Sequence, residues 1–116
     1  MGRRRYRVIW ARAASEDLAD LVAFIAADSP INAPINARRL LQRLRDKASA
    51  LDVAPERGRI VPELGKFGIR AFREIIVRPY RLVYRLAEGR VSVVAVFDGR
   101  RDLEDVLLER LVRDRP

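Results

Sequence analysis

Three strand-like runs, residues 69–77, 80–87 and 91–97, follow one another with almost nothing between them. Arg78-Pro79 separates the first two, and Glu88-Gly89 makes a tight hairpin turn before the third. Gaps this short reverse a chain but cannot carry it back across a sheet, so the runs pair antiparallel. The segment SVVAV (92–96) is apolar at both parities, which predicts a strand covered on both faces.

Within this frame VRPYRLVYRL (77–86) alternates. One parity is Tyr80, Leu82, Tyr84 and Leu86; the other is Arg81, Val83 and Arg85. Successive side chains leave a strand on opposite faces, so an aromatic-aliphatic row is buried and the guanidinium groups stand on the other face. Two readings compete. The arginines are aimed at an anion, or they lie over apolar surface and pair with Glu74 or Asp98. If the first two runs pair, Arg73, Arg81 and Arg85 are expected to form one cationic cluster.

Upstream, residues 5–10 (RYRVIW) read as a short first strand. Residues 14–27 place Leu18, Leu21, Val22 and Ile25 on one helical face, with Glu16, Asp17 and Asp20 early, where the helix dipole favours anions. Asp28-Ser29-Pro30 ends that helix and starts another, with Ser29 as cap and Pro30 at the first position, although Pro34 moves the regular start towards itself. The second helix buries Ala37, Leu40, Leu41, Leu44, Ala48 and Leu51 and carries Arg38, Arg39, Arg43 and Arg45 on its other face. Residues 54–68 read as a Pro/Gly-rich loop with a brief extended piece at 59–61. After DGRR (98–101), Leu103, Val106, Leu107 and Leu111 form the stripe of a last helix, capped by Asp102 with Asp105 at the capping-box position. The order β-α-α-β-β-β-α gives an α+β class: a helical hairpin on one face of a mainly antiparallel four-stranded sheet, then a C-terminal helix, in one domain over 1–116.

Composition narrows the chemistry. There is no cysteine and no histidine, so disulfides, thiolate sites and the commonest metal ligand are excluded, and no metal or cofactor is expected. The net charge is +8, and residues 57–101 hold eleven Lys/Arg against four Asp/Glu. Lys47 and Lys66 are the only lysines; arginine's planar fork suits phosphate or carboxylate, which points to nucleic acid or an acidic protein. No apolar run approaches a membrane span, and the basic start MGRRRYRVIW reaches Arg12 before a signal-peptide core forms. A cytoplasmic chain without membrane contact is expected.

The stretches W (10), DLADLVAFIAADSP, GRIVPELGKFGIR, REIIVRPYRLVYRL and VFDGRRDL, taken at these separations, resemble the RelE/ParE superfamily of type II toxin–antitoxin systems. The resemblance runs from Trp10 to Asp102. It implies a bacterial toxin neutralised by an acidic antitoxin that wraps it. It implies one of two targets: RelE-like members cut mRNA on the ribosome, and ParE-like members poison DNA gyrase without cutting RNA.

Cleaving RNA through its 2′-hydroxyl needs a proton acceptor, a proton donor for the leaving oxygen and cations around the phosphate. Arg81 matches an arginine that ribonuclease members place on this strand, with Arg73 beside it. Glu63 falls where one ribonuclease branch carries a carboxylate, and Asp98 is a second candidate base; each also reads as structural, Glu63 satisfying a loop and Asp98 a turn before Gly99. The segment that carries the proton-transfer pair in ribonuclease members here reads Phe97-Asp98-Gly99-Arg100-Arg101, without histidine or tyrosine. Arg81, Arg85, Arg73, Lys66, Arg100 and Arg101 are the candidate anion-binding set. FIAADSP and the basic second helix resemble the ParE-like branch, for which Arg38, Arg39, Arg43 and Arg45 are the candidate target-binding residues. The favoured expectation is therefore a gyrase poison, with a ribosome-dependent endonuclease and a non-toxic antitoxin-binding remnant as alternatives.

Overall fold

The structure, a computed structural model, describes residues 5–28, 31 and 33–113. The elements are β1 (Arg7–Trp10), α1 (Arg12–Asp28), α2 (Ala33–Ser49), β2 (Arg59–Ile60), the single turn α3 (Pro62–Gly65), β3 (Phe72–Val77), β4 (Tyr80–Ala87), β5 (Arg90–Asp98) and α4 (Leu103–Arg113). The proposed caps at Ser29 and Pro30 lie outside the described residues; α2 starts beside Pro34, as its geometry requires.

The sheet has the order β1-β5-β4-β3-β2, so it has five strands and not four. The extra one is the brief extended piece of the loop, where Arg59 and Ile60 pair with Glu74 and Arg73. β2 through β5 run antiparallel, and β1 lies parallel to β5 because the helical hairpin supplies the long crossover that parallel pairing needs. Glu88 and Gly89 both have positive φ, 55° and 74°, the backbone that matches a two-residue turn to the twist of its strands.

Both faces of the central strands are covered. On one, Leu18, Leu40, Leu44 and Leu51 pack against Leu82, Tyr84, Val91 and Val93. On the other, Leu103 and Val106 of α4 and Val61 pack against Val83, Ala95 and Phe97. The helices are thus divided between the faces, which explains why SVVAV shows no polar parity.

β5 outruns its neighbour. Ala11 N–H donates to Val93 O at 2.9 Å, and there β1 ends. Beyond it Val96 N–H donates to Asp17 Oδ2 at 3.0 Å, while Arg110 of α4 donates to both Val94 O and Asp17 Oδ2. A carboxylate and a guanidinium thus take the place of a strand along the open edge. Asp17 is therefore not a dipole partner at a helix start: α1 begins at Arg12, no acidic residue lies in its first turn, and Asp17 is 9% exposed.

Tyr84 pins the loop before β2 to the sheet. Its hydroxyl donates to Pro55 O at 2.6 Å and accepts from Gly58 N–H at 3.0 Å. A Cβ at Gly58 would stand 2.6 Å from Glu74 O and 2.7 Å from the Tyr84 hydroxyl, and neither can retreat without losing a buried hydrogen bond. Gly58→Ala is expected to cost about 2–3 kcal/mol in urea denaturation; a loss below about 0.5 kcal/mol would contradict this packing.

Candidate functional site

Arg81 does not stand free. It is 6% exposed, and its guanidinium is held between two carboxylates. Nε donates to Glu74 Oε1 at 2.8 Å, and Nη2 donates to the same oxygen. Nη1 and Nη2 form a fork on Glu63, both at 2.8 Å, and Nη1 also reaches Arg101 O at 3.5 Å. All five N–H directions of the fork therefore have an acceptor. The plane lies over the Phe97 ring, 5.0 Å from its centroid.

Three elements build this arrangement. β4 supplies Arg81, β3 supplies Glu74, and the α3 turn lifts Glu63 over the sheet. Glu74 is 1% exposed; its second oxygen accepts from Arg59 Nε and Nη2, each at 2.6 Å. Glu63 Oε2 also accepts from Leu103 N–H at 3.0 Å, so it covers the first free amide of α4. That amide lies one position too early for a capping Asp102 side chain, and a residue 40 positions upstream holds it.

The cationic cluster does not form. Arg73 faces Tyr84 in the β3–β4 register and so lies on the helical-hairpin side, where it donates to Gly58 O at 2.8 Å. Arg81 lies on the α4 side, and Arg85 shares that face but is exposed near the opposite end of the strand. Arg100 and Asp98 pair through Nη2 and Oδ2 at 2.6 Å, and Arg101 pairs with Glu109 at 2.5 Å. Lys66 lies 3.9 Å from Glu104 and over the Phe67 ring. Arg38, Arg39, Arg43 and Arg45 are exposed on α2, as the helical period requires.

The electrostatics follow from these pairs. The Arg81 hydrogen bonds outweigh burial and hold Glu63 at about 2, well below its ordinary 4.5. The same pairing raises Arg81 further above its ordinary value. Arg100 holds Asp98 at about 2. A carboxylate works as a general base when its pKa is near the working pH, so both are weak proton acceptors at neutrality. Among the described residues no group of three His, Cys, Asp or Glu side chains is placed to hold a metal ion.

Around this network lies an open groove of about 420 Å3, lined by Arg59, Ile76, Arg78, Pro79 and Arg100 as well as Glu63 and Arg81. Asp98 is absent from its lining and instead caps the turn, accepting from Arg100 N–H at 2.9 Å. A second groove of about 400 Å3 runs between α1, the β5 edge and α4, with Phe24, Tyr80 and Arg110 on its walls.

Sequence reasoning weighed the Arg81–Glu74 pairing and missed the Glu63 fork. The signal for Glu74 was present: the one acid of FREIIV, on the parity that faces Val83 rather than the parity of Arg73. No spacing announces the Asp17–Arg110 pair, which joins residues 93 apart.

Lowering pH tests the network. Glu63 has a depressed folded pKa, so its stabilising contribution is complete above its ordinary 4.5 and is lost as pH falls towards 2. The difference in unfolding free energy between wild type and Glu63→Gln should be flat from pH 8 to 5 and shrink below pH 4.5. A difference independent of pH down to 2 would contradict the pairing.

Comparison with known proteins gives a concordant result. A family model described as ParE toxin of type II toxin–antitoxin system, parDE, matches residues 8–103. Toxin RelE2 of Caulobacter vibrioides is 32% identical over 91 residues, covering 78% of this chain and 91% of the relative. Among solved structures, the chromosomal ParDE system from P. aeruginosa superposes with a TM-score of 0.65 at 15% identity, over 82% of this chain and 97% of that one. The RelBE2 toxin–antitoxin complex from Mycobacterium tuberculosis superposes at 0.56 with 21% identity, over 81% and 91%. The two structures share the fold of this chain.

Proposed function

The chain belongs to the ParE toxin family of type II toxin–antitoxin systems, within the RelE/ParE superfamily, and from that premise we propose that it arrests growth by binding DNA gyrase without cutting RNA. One observation carries the choice between the two chemistries. The arginine and the carboxylates that a nuclease would use are bound to one another: Arg81 has carboxylate or carbonyl acceptors at every N–H, and Glu63 and Asp98 are both held at about 2. Within residues 97–101 the only other titratable groups are Arg100 and Arg101, and guanidinium is too weak an acid for proton transfer at neutral pH.

Binding needs no acid–base pair. It needs surface, and the exposed flanks of α2 with Arg38, Arg39, Arg43 and Arg45 supply it. The partner that silences the toxin is an acidic antitoxin, in keeping with a net charge of +8 and with solved relatives described as toxin–antitoxin systems. No helix among the described residues is long and apolar enough to cross a membrane, and the proposed site of action is the cytoplasm.

Purified full-length chain should inhibit supercoiling by gyrase and accumulate linear, gyrase-cleaved DNA. Asp98→Asn should retain at least half of that inhibition, and RNA from arrested cells should carry no new 5′ ends in register with codons. Codon-register cleavage that disappears in Asp98→Asn, with gyrase unaffected, would instead assign the chain to the ribosome-dependent nucleases.

A further inference from the structure

The four arginines of α2 do not act as one surface. Arg39 and Arg43 are four residues apart and share one flank, whereas Arg45 turns to the opposite side and lines a groove with Trp10, Ser15 and Leu18. The Arg43 guanidinium reaches the β3–β4 turn, where Nη2 lies 3.4 Å from Arg78 O. Arg78 in turn borders the open groove with Arg59 and Arg100. Guanidinium groups thus run from α2, through the Arg43–Arg78 contact at the turn, to the groove beside the loop after β5.

The charges along this strip are unequal. Arg59 is matched by Glu74 and Arg100 by Asp98. Among the described residues no carboxylate forms an ion pair with Arg39, Arg43 or Arg78, and all three are exposed. Like charges four apart on a helix repel, and the long Arg43–Arg78 O contact is the hydrogen bond among these three to set against that repulsion. Ile76 and Pro79 are the apolar side chains of this groove, set beside three arginines and the Arg81 network. A protein segment would need a buried anchor there; a polyanion needs only closely spaced cations.

We propose that the Arg39–Arg43–Arg78 strip binds the phosphate backbone of duplex DNA, so that the toxin grips the DNA held by gyrase as well as the enzyme. This rests on the gyrase reading for its biological setting, but the contact itself is a property of the isolated chain. Phosphate contacts of this kind are independent of base sequence and weaken with salt.

Fluorescence anisotropy with a 20-base-pair duplex, the full chain and a series of salt concentrations measures it. Arg43→Ser/Arg78→Ser should weaken binding at least tenfold and lower the log–log salt slope by ~2. Arg7→Ser/Arg90→Ser removes the same charge at the far end of the sheet and should change affinity less than threefold. Equal loss in both variants would reduce the strip to net charge and overturn the proposal. So would tighter binding of a single-stranded RNA of the same length, or equal competition by polyglutamate, which would assign the strip to RNA or to an acidic protein. A gyrase supercoiling assay on the same proteins separates the two ideas. Wild type without effect on gyrase removes the gyrase reading and leaves the duplex result to judge the strip. Inhibition that survives intact in Arg43→Ser/Arg78→Ser removes the strip from the poisoning of gyrase and moves the gyrase contact of α2 away from Arg43.

Discussion

The guanidinium of Arg81, buried between Glu63 and Glu74, is the interaction on which the α4 side of the molecule depends. A lone arginine at 6% exposure on a central strand is untenable, since its desolvation costs several kcal/mol. Two carboxylates make it tolerable, and each then ties in something else. Glu74 draws Arg59 and hence the short edge strand β2 into register. Glu63 draws the α3 turn over the sheet and fixes the first amide of α4. One charge thus organises an edge strand, a turn and a helix start.

The far end of α4 is secured in the same currency. Arg110 joins the Asp17 carboxylate and the Val94 carbonyl, and Asp17 also takes the Val96 amide. Both ends of a short helix, whose buried apolar residues among those described are Leu103 and Val106, are therefore held by largely buried carboxylate–arginine pairs. Such pairs add little net stability against an apolar alternative but fix geometry, because a shifted helix would strand a charge. The same pairing bears on the proposed function. Arginines committed to internal carboxylates are withheld from phosphate, and the proposal gives external contacts to Arg39, Arg43 and Arg78 instead.

Much of the architecture was legible because it is periodic. The i, i+3, i+4 stripes of Leu18–Ile25 and Leu40–Leu51 declared the helical hairpin, and the Glu88-Gly89 pair declared a turn that needs two positive φ angles. Two features resisted for the same reason: they depend on contacts between distant residues. β2 is two residues long and is held to the sheet by the Arg59–Glu74 pair together with the Tyr84 and Arg73 contacts to Gly58. The parallel placement of β1 follows from the crossover, which the local pattern RYRVIW does not encode. At the site, parity placed Arg81 and Arg85 on one face but left their surroundings open. Arg73, an odd number of residues from Glu74's face, was assigned to a cluster that the register forbids. Glu63 looked like a loop polar residue and proved to be half of a buried fork, since nothing in VPEL signals the arginine 18 residues on.

A double-mutant cycle between Arg81→Met and Glu63→Gln, read by urea denaturation at pH 7, tests the internal pairing most directly. If the two side chains form one buried pair, Arg81→Met alone is strongly destabilising, by about 3–5 kcal/mol, and much of that loss is recovered in the double variant. Additive losses, with a coupling below about 0.5 kcal/mol, would mean that Arg81 and Glu63 act separately and that the edge of the guanidinium facing Glu63 is open to an external anion.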